Sequence, residues 1–164
     1  MSFNLQEFEF KINLDSYYDF KTLNNNNKMD FTIRKGSKMP ILKLEPIITK
    51  NYNDLKNAIK NAVVTFSMID SEAGNYIVAN KTGYIEIIDS NDEEHMSMGY
   101  GDVSPDFLIC YEFTEYDTRK VGVYKGEFKI DFLDNCLPSL IVPISTDLYI
   151  YIVESITKTT VINR

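Results

Sequence analysis

The chain has 164 residues and a formal net charge of −7; 44% of it is hydrophobic and 13% aromatic, with eleven Tyr, ten Phe and no Trp. That length suits one domain around one core, and the apolar content excludes a disordered chain. The acidic balance without a Lys/Arg cluster argues against nucleic-acid binding, which needs cations to displace phosphate counterions.

The charge therefore reads as plain solubility. The N-terminal MSFNLQEFEF has acids and no apolar h-region, so no secretion signal is expected. No apolar run approaches the ~20 residues that span a bilayer. The expectation is a soluble protein made in a cytoplasm, with no membrane partner. Cys110 and Cys136 are expected to be reduced thiols rather than a disulfide.

In chain order, residues 1–27 form an arm. Phe8, Phe10, Ile12 and Leu14 alternate with polar residues, a period of two that predicts a half-buried strand. Tyr17 and Tyr18 follow, and the arm ends in the Asn run 24–27, a linker or surface loop. Its apolar face must be covered, either by this chain's own sheet or by a neighbour's sheet edge. Phe8, Phe10, Ile12, Leu14, Tyr17 and Tyr18 are the interface candidates.

The main domain, 28–155, begins with a strand from Met29 that breaks at residues 35–38 and resumes from Met39, a pattern that suits a switch between sheets. Pro40 and Pro46 belong at an edge or a strand end, since neither has an N–H to donate. Leu55, Ala58, Ile59 and Ala62 recur at helical spacing behind Asn53 as N-cap, predicting one short helix over 53–62. Strands are then expected at Val63–Met68, Tyr76–Ala79 and Tyr84–Ile88, with a tight connection at 80–83. Residues 89–105 read as a long polar loop. The stretch from Phe107 to Phe128 reads as strand, charged corner, strand. In it Phe107, Ile109, Tyr111 and Phe113 face one way, and Leu108, Cys110, Glu112 and Thr114 the other. Asp117, Gly122 and Tyr124 have the makings of a tyrosine corner, in which a Tyr hydroxyl turns back onto the preceding backbone. Strands at 137–144 and 148–153 close the domain, and 156–164 is a C-terminal tail. Short strands at roughly 8–12-residue spacing predict an all-β, immunoglobulin-like antiparallel β-sandwich.

Chemistry is sparse. His95 stands alone in a polar loop and no G-x-S-x-G elbow accompanies it. One His and two distant Cys do not make a zinc site. An EF-hand counted from Asp89 puts Glu94 where Gly is needed and Tyr100 where Glu is needed. The acids Asp92, Glu93, Glu94, Glu112, Glu115 and Asp117 read as a solvated surface. No catalytic residue, metal ligand or cofactor is assigned. Tyr100 and Tyr116, in loops, are the candidates for contact with a surface glycan.

One resemblance is visible. Lys35-Gly36, Pro40-Ile41-Leu42, Val64-Thr65-Phe66, Tyr111 to Phe113, Asp117-Thr118, Gly122, Tyr124, Phe128, Pro143 and Tyr149 to Ile152 follow one another in a pattern spread through residues 31–155. This order resembles the immunoglobulin-like domain of tailed-phage structural proteins, and is similar to the N-terminal domain of upper baseplate proteins of phages infecting Gram-positive bacteria. The resemblance implies a non-enzymatic virion component that assembles with other virion proteins, as a homo-oligomer, in a baseplate, tail, neck or fibre attachment. The alternative is a carbohydrate- or host-receptor-binding module on the particle surface.

Overall fold

A computed structural model describes residues 10–12, 29–46, 52–88, 106–133, 137–144 and 146–156. Ten strands and one helix follow in order: β1 (Phe10–Ile12), β2 (Met29–Arg34), β3 (Leu42–Pro46), α1 (Tyr52–Ile59), β4 (Ala62–Asp70), β5 (Tyr76–Thr82), β6 (Tyr84–Ile87), β7 (Phe107–Tyr111), β8 (Gly122–Phe132), β9 (Leu140–Val142) and β10 (Leu148–Val153). They make a β-sandwich. The smaller sheet runs β1-β3-β7-β6, and the larger runs β2-β10-β8-β4-β5 with β9 added against β8.

The period-two pattern does what it predicts on most strands. Phe31 and Ile33, Val64, Phe66 and Met68, and Ile150 and Ile152 point inward from the larger sheet. Leu42, Leu44, Phe107 and Ile109 meet them from the smaller. Phe66 sits at the centre, 4.5 Å from the Tyr111 ring and 5.0 Å from Phe128 between centroids, distances at which aromatic pairs attract beyond their area burial. Phe113 adds edge contacts to both Phe66 and Tyr111.

The break at residues 35–38 is a change of sheet: β2 lies in the larger sheet and β3 in the smaller. One pairing departs from the antiparallel expectation, because β2 runs parallel to β10, Leu148 opposite Met29 through Val153 opposite Arg34. Alternation reports which face a residue takes, not the direction of its neighbour, so this pairing has no local signal.

The helix spans Tyr52–Ile59, beginning one residue earlier and ending three earlier than its pattern suggested. Asn53 thus lies in the first turn, not at the cap; such boundaries slide by a residue or two. Leu55 and Ile59 are fully buried in the common core.

The turn expected at residues 80–83 is instead a continued strand. Asn80 takes a left-handed φ of +50°, a conformation Asn tolerates, and its N–H donates to Ser67 Oγ at 2.9 Å. The Asn signal is used as an irregularity within β5, where the ladder to β4 shifts register. The crossing to the smaller sheet is made by Gly83 alone. A Cβ there would lie 2.6 Å from the Cys110 carbonyl oxygen, so only glycine fits.

Strand β7 differs from its expected half-burial: Leu108 and Cys110 are as buried as the inward residues. The reason lies in its neighbours. β7 runs between β3 and β6, and Lys43 Nζ of β3 reaches Glu86 Oε1 of β6 at 3.0 Å, a strap across the strand between them. Cys110 Sγ lies 3.9 Å from the same Glu86 oxygen.

Candidate functional site

The corner is assembled around a buried carboxylate. Tyr111 donates its hydroxyl to Asp117 Oδ2 at 2.6 Å, and the Thr114 N–H donates to the same oxygen at 3.0 Å. The Asp117 N–H in turn donates to Thr114 Oγ1 at 3.0 Å. Asp117 and Thr118 are both 0% exposed, so Asp117 is not the solvated surface acid its charged neighbourhood suggested; the Tyr111 and Thr114 donors hold its carboxylate inside. Thr118 Oγ1 donates to the Ser37 carbonyl at 2.9 Å, and the Gly36 N–H to the Thr118 carbonyl at 2.9 Å, which ties the corner to the β2–β3 switch. Tyr124 donates its hydroxyl to the Lys120 carbonyl at 2.7 Å. A Cβ at Gly122 would lie 3.1 Å from that hydroxyl. Burial, then the bond to Asp117, pushes the Tyr111 phenol well above its usual range; burial, then the Asp70 charge, raises Tyr124. Asp117 Oδ1 is buried without a hydrogen-bond partner, while Oδ2 and the other polar groups named here hold the loop, so the corner's role is structural. Sequence reasoning placed Asp117, Gly122 and Tyr124 but missed Tyr111 as the carboxylate's partner, because Tyr111 sits among core residues at core spacing.

Of the interface candidates in the arm, Phe10 and Ile12 are buried in this chain's own core, with β1 paired antiparallel to β3, Phe10 opposite Pro46 and Ile12 opposite Leu44. Lys11 points outward, 3.6 Å from Glu45. Phe8, Leu14, Tyr17 and Tyr18 lie outside the described residues, as do Cys136, His95, Tyr100 and the acids Asp92 to Glu94.

Tyr116 is 63% exposed, but the Arg119 guanidinium stacks 3.7 Å from its ring centroid and donates to the Tyr116 carbonyl at 2.8 Å. One ring face is thus occupied by its own loop. Glu112 accepts the Tyr84 hydroxyl at 3.0 Å. Among the described residues no three His, Cys, Asp or Glu side chains gather as a metal site would require. No helix among them is long and apolar enough to cross a membrane.

An open groove on the outer face of the larger sheet was not foreseen. One cross-strand row there runs Asp30, Tyr149, Lys125, Ile69 and Tyr76, each opposite the next on β2, β10, β8, β4 and β5. Beside it the sheet is interrupted. Phe128 faces Val142 of β9 and Gly126 faces Leu148 of β10, so Glu127 between them has no ladder partner on that side. The resulting groove encloses about 250 Å³ and is lined by Tyr76, Ile69, Lys125, Glu127, Thr146 and Asp147, among others. Lys125 Nζ stands 3.5 Å from Asp147 Oδ2 and 5.7 Å from the Tyr149 ring centroid. The only sequence signal was the polar or aromatic character of the outward positions Tyr149 and Lys125, which is ordinary for a solvated face. Set beside known proteins, the chain matches no protein-family model, no curated protein and no solved structure.

Proposed function

We propose that this chain is a non-enzymatic structural component of a tailed-phage particle, made in the host cytoplasm and assembled by contacts with other virion proteins and with copies of itself. The observation that supports this reading is the corner. Asp117, Thr118, Gly122 and Tyr124, the most specific part of the phage-domain resemblance, hold the β7–β8 connection of a β-sandwich through the 2.7 Å Tyr124–Lys120 bond and a fully buried Asp117. Assembly would use the arm outside β1 and the sheet edges, where backbone hydrogen bonds give affinity and alternate side chains give specificity. Mass spectrometry of purified particles from a phage encoding the chain is the test. Recovery in fixed stoichiometry with other virion proteins is expected; absence from the particles overturns the proposal.

A second reading, a carbohydrate- or host-receptor-binding module on the particle surface, draws on the open groove of the larger sheet.

A further inference from the structure

We propose that the groove across β8, between Tyr76 of β5 and the β9–β10 connection, binds a neutral saccharide. The proposal stands on the groove itself and holds whether or not the chain is a virion component.

The first observation is Tyr76. Its side chain is 65% exposed at the groove's rim, opposite Ile69 on the neighbouring strand. A flat ring at the rim of a sheet offers an apolar surface with a polar tip, the amphipathic shape that recognition surfaces use. The C–H face of a pyranose fits such a ring, since its axial hydrogens are weakly positive and the ring face is negative.

The second observation is the balance of polar groups. Lys125 is a donor only, Glu127 and Asp147 are acceptors only, and the Thr146 hydroxyl is both. A sugar hydroxyl both donates and accepts, so a polyol can satisfy carboxylates and ammonium at once. Charged partners make such bonds shorter and stronger than neutral ones. The charges of Lys125, Glu127 and Asp147 sum to −1, which opposes an anionic ligand. Lys125, inside the same groove, opposes a cationic one. A neutral polyhydroxyl ligand meets neither charge with its like.

The third observation is how the groove arises. It exists because β9 and β10 pair with β8 on either side of Glu127 and leave that residue out. Gly126, next to it, has its inward side filled by Ile150 and Phe66, which come within 2.7 and 2.8 Å of where a Cβ would be. The floor at Gly126 is therefore packed from below, and the walls are the side chains of Tyr76, Lys125, Glu127 and Asp147. Ligand sites are usually such preformed concavities with a few convergent polar groups. At about 250 Å³ this one is at the small end, suited to one or two sugar rings rather than a long chain.

Saturation-transfer difference NMR on the full chain tests this, with maltose, cellobiose, lactose and N,N′-diacetylchitobiose at millimolar concentration as probes. At least one probe is expected to receive saturation. Its affinity should fall about tenfold or more in Tyr76→Ala, survive in Tyr76→Phe, and weaken in the Glu127→Gln/Asp147→Asn double variant. Tyr116→Ala, in the exposed corner loop, should leave it unchanged. No saturation of any probe overturns the proposal. Binding that persists in Tyr76→Ala also overturns it, and binding lost only in Tyr116→Ala would transfer the site to the loops.

Discussion

The outer faces of the two sheets begin from the same alternating pattern and end differently. On the smaller sheet a Lys43–Glu86 strap crosses β7, and Cys110 beneath it is 0% exposed. On the larger sheet Lys125 also pairs with an acid, Asp147, but that acid lies just before β10 rather than on a paired strand, and a groove lined by Tyr76 stays open. The difference teaches that a long charged side chain closes a sheet face when its partner is two strands away across a continuous ladder. Where the ladder is interrupted, the same chemistry lines an opening.

The largest expected effect contrasts the packing beneath the two faces. Gly83→Ala would press a methyl onto the Cys110 carbonyl, a backbone atom that cannot turn aside. Gly126→Ala would meet the ends of Ile150 and Phe66, which have some freedom to shift. Urea denaturation should show losses of about 3 kcal/mol for the first and about 1–2 kcal/mol for the second. Equal losses would mean that the two sheets are equally yielding.

Tyr124→Phe comes next and serves as the neutral reference, since the corner belongs to neither face. Loss of the bond to the Lys120 carbonyl should cost about 1–2 kcal/mol while leaving both thiol protection and saccharide binding as they were. A variant as stable as the parent would show that the corner does not hold the fold.

The strap can be broken directly. In a Cys136→Ser background the Cys110 thiol should react slowly with an aromatic disulfide reagent at pH 8, because burial first, and the Glu86 charge second, push it up to about 12. Lys43→Ala/Glu86→Ala should speed that reaction about tenfold or more, reactivity following access and thiolate fraction. An unchanged rate would mean that the strap is not what covers the thiol.

The covered face also bears on pH dependence. A thiol raised from 9.0 to about 12 holds its proton more tightly folded than unfolded. Its contribution to stability is therefore complete below pH 9 and lost as pH rises towards 12. Tyr111 and Tyr84, both raised by burial first, act in the same direction from their ordinary phenol range upward. Stability should decline through alkaline pH, and less steeply in Cys110→Ser; the same slope in both would remove Cys110 from the account.

Much of the fold was legible. The strand at Leu148–Val153 is where alternation placed it, the change of sheet after Arg34 is where Gly36 and Pro40 interrupt the pattern, and the Tyr124 hydroxyl turns back four residues as a corner requires. Less of the candidate site was. Tyr76 read as the first residue of an ordinary strand, and nothing local says that it shares one groove with Lys125 and Glu127.

Residue type and spacing by themselves determined that this chain is a β-sandwich with one short helix, which side chains face its core, and that a tyrosine corner joins β7 to β8. These follow from backbone geometry within a few residues, where period two decides which face is buried. Tertiary structure alone decided that β2 runs parallel to β10, that Lys43 and Glu86 meet over Cys110, and that Glu127 is skipped between β9 and β10. Each depends on which strands become neighbours, a choice made by burial of the whole core rather than by any segment's own preference.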